Sequence, residues 1–335
     1  MDSLALDRLP GLSAADFPPF LSRAPWWGGD LQTLRNYLVR QLAPLPAAER
    51  LHLPMRDGSG DRLAASLHRP PVAEPRRPLV VLIHGLTGTE ESHYMVKTAA
   101  HLLRQGFAVL RLNLRGAGAS RPSCRFQYYA GRSEDFADAL AALPHALTQG
   151  GVAAIGYSLG ANMLLKYLGE RGGDTPLKGA IAVSAPLDLA GTARRMMCQR
   201  NTLYQRYLLR HMRFESLALG AETTSKERAA IMAARSIWEF DHRFSAPRNG
   251  FRGAEDYYER NAAKRFLDGI AVPTLMIHAL DDPWIPPEPY LAYDWRRNSS
   301  LILLLPACGG HVGFQGRDRS ASWHDICAAQ FLARL

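Results

Sequence analysis

The sequence predicts an α/β protein with a mostly parallel central sheet and helices on both of its faces. Three observations predict it. Compact aliphatic runs recur from about residue 50 onward, stretches with helical spacing separate them, and the runs are apolar at successive positions, as strands covered on both faces must be. The composition, 47% hydrophobic and 21% charged over 335 residues, is that of an ordinary globular chain. It excludes disordered, collagen-like and coiled-coil architectures.

Residues 1–49 precede the alternating pattern and read as an extension packing on the core. Residues 50–68 read as a leading antiparallel hairpin turning at Asp57-Gly58-Ser59-Gly60. The predicted central strands are Leu79 to Ile83, Ala108 to Leu112, Val152 to Gly156, Ala180 to Val183, Thr274 to Ile277 and Leu301 to Leu305. A helix is expected over 93–104, where Met95, Ala99, Leu102 and Leu103 share a face, and another over 133–147, which opens on Ser133-Glu134-Asp135. A third follows Ser158 directly, with Met163, Leu164, Tyr167 and Leu168 as its apolar stripe, and stops at Gly172-Gly173. The alternation breaks over residues 186–262. This stretch reads as a helical cap inserted between a first core part, 50–185, and a second, 263–335.

The formal charge is +9, carried by arginines scattered along the chain, with lysine at only five positions. No nucleic-acid-binding motif accompanies it, so no nucleic-acid partner is expected. Cys124, Cys198, Cys308 and Cys327 are far apart in sequence, which fits reduced thiols rather than a zinc site or disulfide framework. The first 21 residues carry Asp2, Asp7 and Asp16 and lack the basic start and apolar run of a signal peptide. The aliphatic runs are far shorter than the roughly 20 residues that span a bilayer. A cytoplasmic chain is the expectation.

Gly156-Tyr157-Ser158-Leu159-Gly160 is a G-x-S-x-G segment between an apolar strand and an amphipathic helix. Such a serine sits on a sharp strand-to-helix turn that larger neighbours would obstruct, and the turn lifts its hydroxyl above the sheet edge. Ser158 is therefore the candidate nucleophile, and the Leu159 N–H, at a helix N-terminus, a candidate oxyanion donor. A serine hydroxyl needs an imidazole to take its proton and a carboxylate to orient that imidazole. Downstream, Asp281-Asp282-Pro283-Trp284-Ile285-Pro286 follows one predicted strand, and Gly309-Gly310-His311-Val312-Gly313-Phe314 follows the next. His311 is the candidate base, since His324 falls in the C-terminal helix. Asp281 and Asp282 compete for the acid role; Asp282 is favoured because Asp-Pro-x-x-Pro suits the acid turn, which leaves Asp281 as a turn or surface residue. His84-Gly85-Leu86 follows the first parallel strand and offers the Leu86 N–H as the second oxyanion donor, with His84 structural.

These motifs together resemble the YheT-like branch of the α/β-hydrolases. The resemblance also rests on Trp26-Trp27-Gly28-Gly29 with Gln32-Thr33, on Asn113-Leu114-Arg115-Gly116-Ala117-Gly118, and on Phe240-Asp241, Ala246-Pro247, Gly250-Phe251 and Tyr257-Tyr258 in the cap. It implies an α/β-hydrolase fold, Ser158, Asp282 and His311 as a triad, and hydrolysis of carboxylic or lipid esters without cofactor or metal. One departure is Tyr128-Tyr129 before Ala130-Gly131, where relatives tend to have Tyr-His.

Between Arg194 and Phe214 arginines interleave with Met196, Met197, Leu203, Tyr207, Leu208 and Met212, a basic amphipathic pattern. It reads as a cap helix with its apolar face over the site and arginines in solvent, or as a face that contacts a lipid surface. Met and aromatic residues suit an adaptable acyl pocket. Phe240-Asp241-His242-Arg243-Phe244 has too few ligands for a metal, and Asp241 reads as structural. The expected substrate is a small-molecule or lipid-like ester, with a short to medium acyl chain or a lipid ester. The alternatives are an acyltransferase using the same acyl-enzyme and a non-catalytic ligand-binding protein.

Overall fold

The computed structural model describes residues 12–39, 44–70, 77–218, 223–317 and 321–335. Eight strands form one sheet: β1 (Glu49–Pro54), β2 (Arg62–His68), β3 (Leu79–Ile83), β4 (Val109–Leu112), β5 (Val152–Tyr157), β6 (Leu177–Val183), β7 (Thr274–Ile277) and β8 (Leu301–Leu304). Their spatial order is β1-β2-β4-β3-β5-β6-β7-β8. The β1–β2 and β2–β4 pairs are antiparallel and the rest parallel. The expected hairpin is β1–β2, and Gly58 and Gly60 supply the positive φ its turn requires.

The helices of the first half are α1 (Gly29–Leu38), α2 (His93–Arg104), α3 (Ser133–Ala141), α4 (His145–Thr148) and α5 (Leu159–Arg171). The single helix expected over 133–147 is thus two. Pro144 lacks an N–H and disfavours helical geometry in the residue before it, so the chain breaks there and restarts at His145. Between β6 and β7 lie α6 (Leu189–Met197), α7 (Thr202–Leu217), α8 (Ser225–Ala233), α9 (Ile237–Phe240), α10 (Ala246–Arg248) and α11 (Ala254–Asn261). Two more follow, α12 (Glu288–Ala292) and α13 (Trp323–Leu332).

Successive strand residues point to opposite faces, so each strand feeds two apolar layers. Val81, Ile83, Ala154 and Ala182 pack with Met163 and Leu164 of α5 on one face. Val80, Leu82, Ile155 and Ile181 pack with Met95 and Leu102 of α2 and Phe331 of α13 on the other. A third cluster joins Met196, Leu208, Met212, Ile231 and Phe240 to Trp284 and Ile285, above the C-terminal ends of the strands. That edge is where open α/β sheets place their ligands. Arg115 is fully buried, bidentate to Asp135 at 2.8 and 2.7 Å and 2.8 Å from Asp61, which ties α3 to the β1–β2 turn. A buried arginine left without such partners would be strongly destabilising.

Candidate active site

Ser158 lies at the junction of β5 and α5 with φ 51° and ψ −119°, a conformation that L-residues other than glycine rarely adopt. Holding it there costs about 1–3 kcal/mol, which the surrounding structure must offset. The flanking glycines are sterically required. A Cβ at Gly156 would lie 2.7 Å from the Ala161 Cα, and one at Gly160 would run into the carbonyl oxygens of His84 and Ile83. The Ser158 N–H donates to Val183 O at 2.9 Å, anchoring the turn to β6.

The structure brings three residues remote in sequence into one hydrogen-bonded series. The Ser158 Oγ is 2.9 Å from His311 Nε2, and His311 Nδ1 is 2.8 Å from Asp282 Oδ2. A carboxylate only accepts, so Nδ1 carries the ring proton and Nε2 is left to accept from the serine hydroxyl. The second Asp282 oxygen accepts the Trp284 and Ile285 N–H groups at 2.8 and 3.0 Å. Burial, the largest influence, pushes the Asp282 carboxyl up, yet the His311 ring and these hydrogen bonds outweigh it and hold the carboxyl below its ordinary value. Trp284 stacks on His311 with centroids 4.4 Å apart, covering the imidazole on one side.

Asp281 does not pair with the imidazole. It is only partly exposed, and its Oδ1 accepts the Gly310 N–H at 2.8 Å. Asp281 does lie in a turn, as expected, and from there its side chain braces the histidine loop. The same loop is held by groups whose part the sequence did not reveal. The His311 N–H donates to Thr33 Oγ1 at 2.8 Å, the Val312 N–H to Ser184 Oγ at 3.2 Å, and the Gln315 N–H to Gln32 Oε1 at 2.6 Å. Gly310 and Gly313 pack so closely on Gly29 and Gln32 that a Cβ at either would collide with their carbonyls. The Trp26–Thr33 segment was visible as a pattern, but no local signal linked it to a histidine nearly 280 residues away.

The turn after β3 faces the serine. A Cβ on Gly85 would lie 3.0 Å from the Ser158 Cβ. His84 is fully buried, accepts the Leu114 N–H at Nε2 (3.0 Å) and so must donate from Nδ1 to Gly85 O (2.8 Å). Burial pushes its pKa down to about 4, which keeps it neutral, and both ring nitrogens are taken up by backbone groups, as a structural role requires. Gly85 N–H donates to the Tyr94 hydroxyl at 3.0 Å, Thr87 N–H to the Tyr128 hydroxyl at 2.7 Å, and Gly88 N–H to Gly85 O at 3.1 Å. Among the described residues, no acceptor pairs with the N–H of Leu86 or of Leu159. Both residues line the same cavity as Ser158 and His311.

That cavity has a volume of about 230 Å³. Its wall is mostly apolar, with Met196, Leu208, Met212 and Ile237 supplied from between β6 and β7. Asp241 also reaches this wall; it is buried, accepts the Tyr258 hydroxyl at 2.7 Å, and is pushed up to about 6 by burial. The Arg194–Phe214 stretch is not one helix: it breaks at Cys198 between α6 and α7. Nor do all its arginines face solvent. Arg195 donates to the carbonyls of Asp282 and Pro283, and Arg213 caps the carbonyls of Ile231 and Ala234, whereas Arg200 is exposed and pairs with Asp30. Free carbonyls at loop and helix ends claim a guanidinium that an amphipathic plot assigns to water. Among the described residues there is no cluster of three or more His, Cys, Asp or Glu placed to hold a metal, and no helix long and apolar enough to cross a membrane.

Comparison with known proteins places the chain in a family. Residues 78–316 match the α/β hydrolase fold family. The chain is 33% identical over 290 residues to YheT of Escherichia coli, covering 85% of this chain and 84% of that protein. It is 30% identical to the medium-chain fatty acid ethyl ester synthase/esterase 2 of Saccharomyces cerevisiae, over 77% of this chain but only 62% of the longer yeast protein. The Pyrococcus furiosus esterase Pf2001 superposes with a TM-score of 0.60 over 95% of this chain and 96% of its own, at 16% identity, which speaks for the fold alone. On the strength of the matched motifs, the sheet order and the two sequence relatives, the chain belongs to the α/β-hydrolase family, in its YheT-like branch.

Proposed function

We propose that the protein is a serine-dependent carboxylic ester hydrolase acting on short to medium acyl esters or lipid esters. Ser158 attacks the ester carbonyl as His311 Nε2 takes its proton. The Leu86 and Leu159 N–H groups stabilise the resulting oxyanion. The imidazolium, steadied by Asp282, then protonates the departing alkoxide and leaves an acyl-serine. Water repeats the sequence with His311 as base and frees the acid. The protein's own side chains and backbone amides, with water, suffice for these steps, so no cofactor or metal is required. The observation that carries the reading is the Ser158–His311–Asp282 series, at 2.9 and 2.8 Å, on the floor of an apolar cavity.

The test is labelling with a fluorophosphonate together with turnover of a chain-length series of p-nitrophenyl esters. Wild type should label and turn over, and Ser158→Ala should do neither. Equal labelling of the variant would overturn the assignment. A second reading, acyl transfer to an alcohol, is supported by the yeast relative's name, which joins synthase to esterase. Product analysis in ethanol separates the two, since a transferase prefers the alcohol over bulk water.

In this reading residues 186–262 are a cap that roofs the site, 50–185 and 263–335 form the catalytic core, and 1–49 is an extension that braces it, residues 1–11, 40–43, 71–76, 219–222 and 318–320 lying outside the described residues. Four free cysteines suit a reducing cytoplasm. Exposed Leu203 and Phe214 beside exposed Arg206 and Arg210 on α7 support contact with anionic lipid surfaces. Failure to co-sediment with phosphatidylserine vesicles would remove that contact.

A further inference from the structure

The Gly85–Gly88 turn carries Thr87 at φ 55°, a left-handed conformation that a β-branched residue rarely takes. A turn of that shape needs an anchor outside itself. The anchor is Tyr128, whose hydroxyl accepts the Thr87 N–H at 2.7 Å and whose ring meets that of His84 edge-on at 5.8 Å. A hydroxyl that accepts from an amide still has its own proton to place. It donates to Glu215 Oε2 at 3.2 Å, in a site where both side chains are buried.

Glu215 is on α7, the helix that also presents Leu208 and Met212 to the cavity. Two more bonds fasten this end of α7 to the segment carrying Tyr128: Arg121 Nη1 to Glu215 O at 2.7 Å and Ser216 Oγ to Gln127 Oε1 at 2.9 Å. The chain of contacts therefore runs from the cavity's roof, through a carboxylate and a phenol, to the amide next to Leu86.

We propose that Tyr128 and Glu215 are positioning residues that hold the turn so that the Leu86 N–H faces the oxyanion formed at Ser158. The proposal rests on the reading of Ser158 as nucleophile. Anionic Glu215 is the stronger acceptor for the Tyr128 proton and makes the hydroxyl oxygen a better acceptor for Thr87. Burial pushes the Glu215 carboxyl up to about 7, with the Tyr128 hydrogen bond and the Arg121 charge pulling the other way. Among the described residues, the His84 ring packed edge-on against Tyr128 and Tyr94 of α2 also act on this pair. The brace is therefore firmer above pH 7 than below it.

Tyr128→Phe and Glu215→Gln test the idea, each assayed with p-nitrophenyl butyrate, for binding of a trifluoromethyl ketone that forms an oxyanion at the serine, and for thermal midpoint. Tyr128→Phe should lower kcat about tenfold or more with KM changed less than twofold, and weaken trifluoromethyl ketone binding in parallel with kcat/KM. Glu215→Gln should lose several-fold in kcat at pH 8, and the wild-type to variant ratio should shrink toward one as the pH falls to 6. An unchanged kcat in Tyr128→Phe, a loss confined to KM or thermal midpoint, or a ratio flat across pH would each overturn the proposal. If Ser158→Ala retained activity, the reading of the nucleophile would fail instead, and the two failures are distinguishable.

Discussion

The floor and the roof of the cavity are built by different physics. On the floor, Ser158, His311, Asp282 and the Gly85–Gly88 turn sit at strand ends, and most of their polar atoms have a named partner at 2.6–3.2 Å. Glycines there admit no substituent because neighbouring backbone fills the space. The roof is packed from Met196, Leu208, Met212, Phe240 and Trp284, with dispersion and area burial in place of directed bonds. A hydrogen-bonded floor holds atoms to fractions of an ångström, which proton transfer demands. A methionine-rich roof tolerates ligands of different shape. On the proposed reading, the contrast places reaction type and substrate range in separable parts of one site.

The sharpest way to break that contrast is at Asp282. Asp282→Asn keeps the shape but cannot hold His311 in the Nδ1–H tautomer, and kcat should drop by about 10⁴. Stopped assays with p-nitrophenyl butyrate measure this. Asp281→Asn, altering only the brace on Gly310, should cost less than tenfold; a reversal of the two losses would exchange their roles.

Thr33→Val comes next. It removes the acceptor of the His311 N–H, leaving a buried donor unpaired at about 1–3 kcal/mol. We expect roughly a tenfold loss in kcat with KM little changed. An unaltered rate would show that the histidine loop needs no help from α1.

At the roof, Met212→Ala should leave kcat on the short ester within about threefold while moving the preferred acyl chain to greater length. The vacated volume should also lower stability by about 2–5 kcal/mol, readable by urea unfolding. A loss of chemistry equal to that at the floor would erase the distinction between the two regions.

The smallest effect concerns Asp241. Its carboxyl is raised from 3.8 to about 6, so the folded state binds this proton more tightly than the unfolded one. Stability contributed by the protonated form is greatest below pH 3.8 and declines as pH rises toward about 6. Asp241→Asn keeps an acceptor for Tyr258 and should flatten that decline, by an amount on the order of 1–3 kcal/mol. Urea midpoints at pH 4, 5, 6 and 7 give the slope.

Much of this was legible in the residues themselves. A covered parallel strand needs a continuous apolar run, and a strand-to-helix turn this tight needs small residues two positions either side of its serine, so both leave local signatures. The order of Ser158, Asp282 and His311 followed from the same elements. The Asp-Pro-x-x-Pro pattern favoured Asp282 over Asp281, but neighbouring side chains point in different directions and only the fold decides which meets the imidazole. The bracing by Gln32 and Thr33, the Tyr128–Glu215 link and the arginines that cap carbonyls were likewise hidden. Local sequence encodes conformation through nearby sterics and periodicity, whereas a hydrogen bond between segments nearly 280 positions apart exists only once the intervening chain has folded.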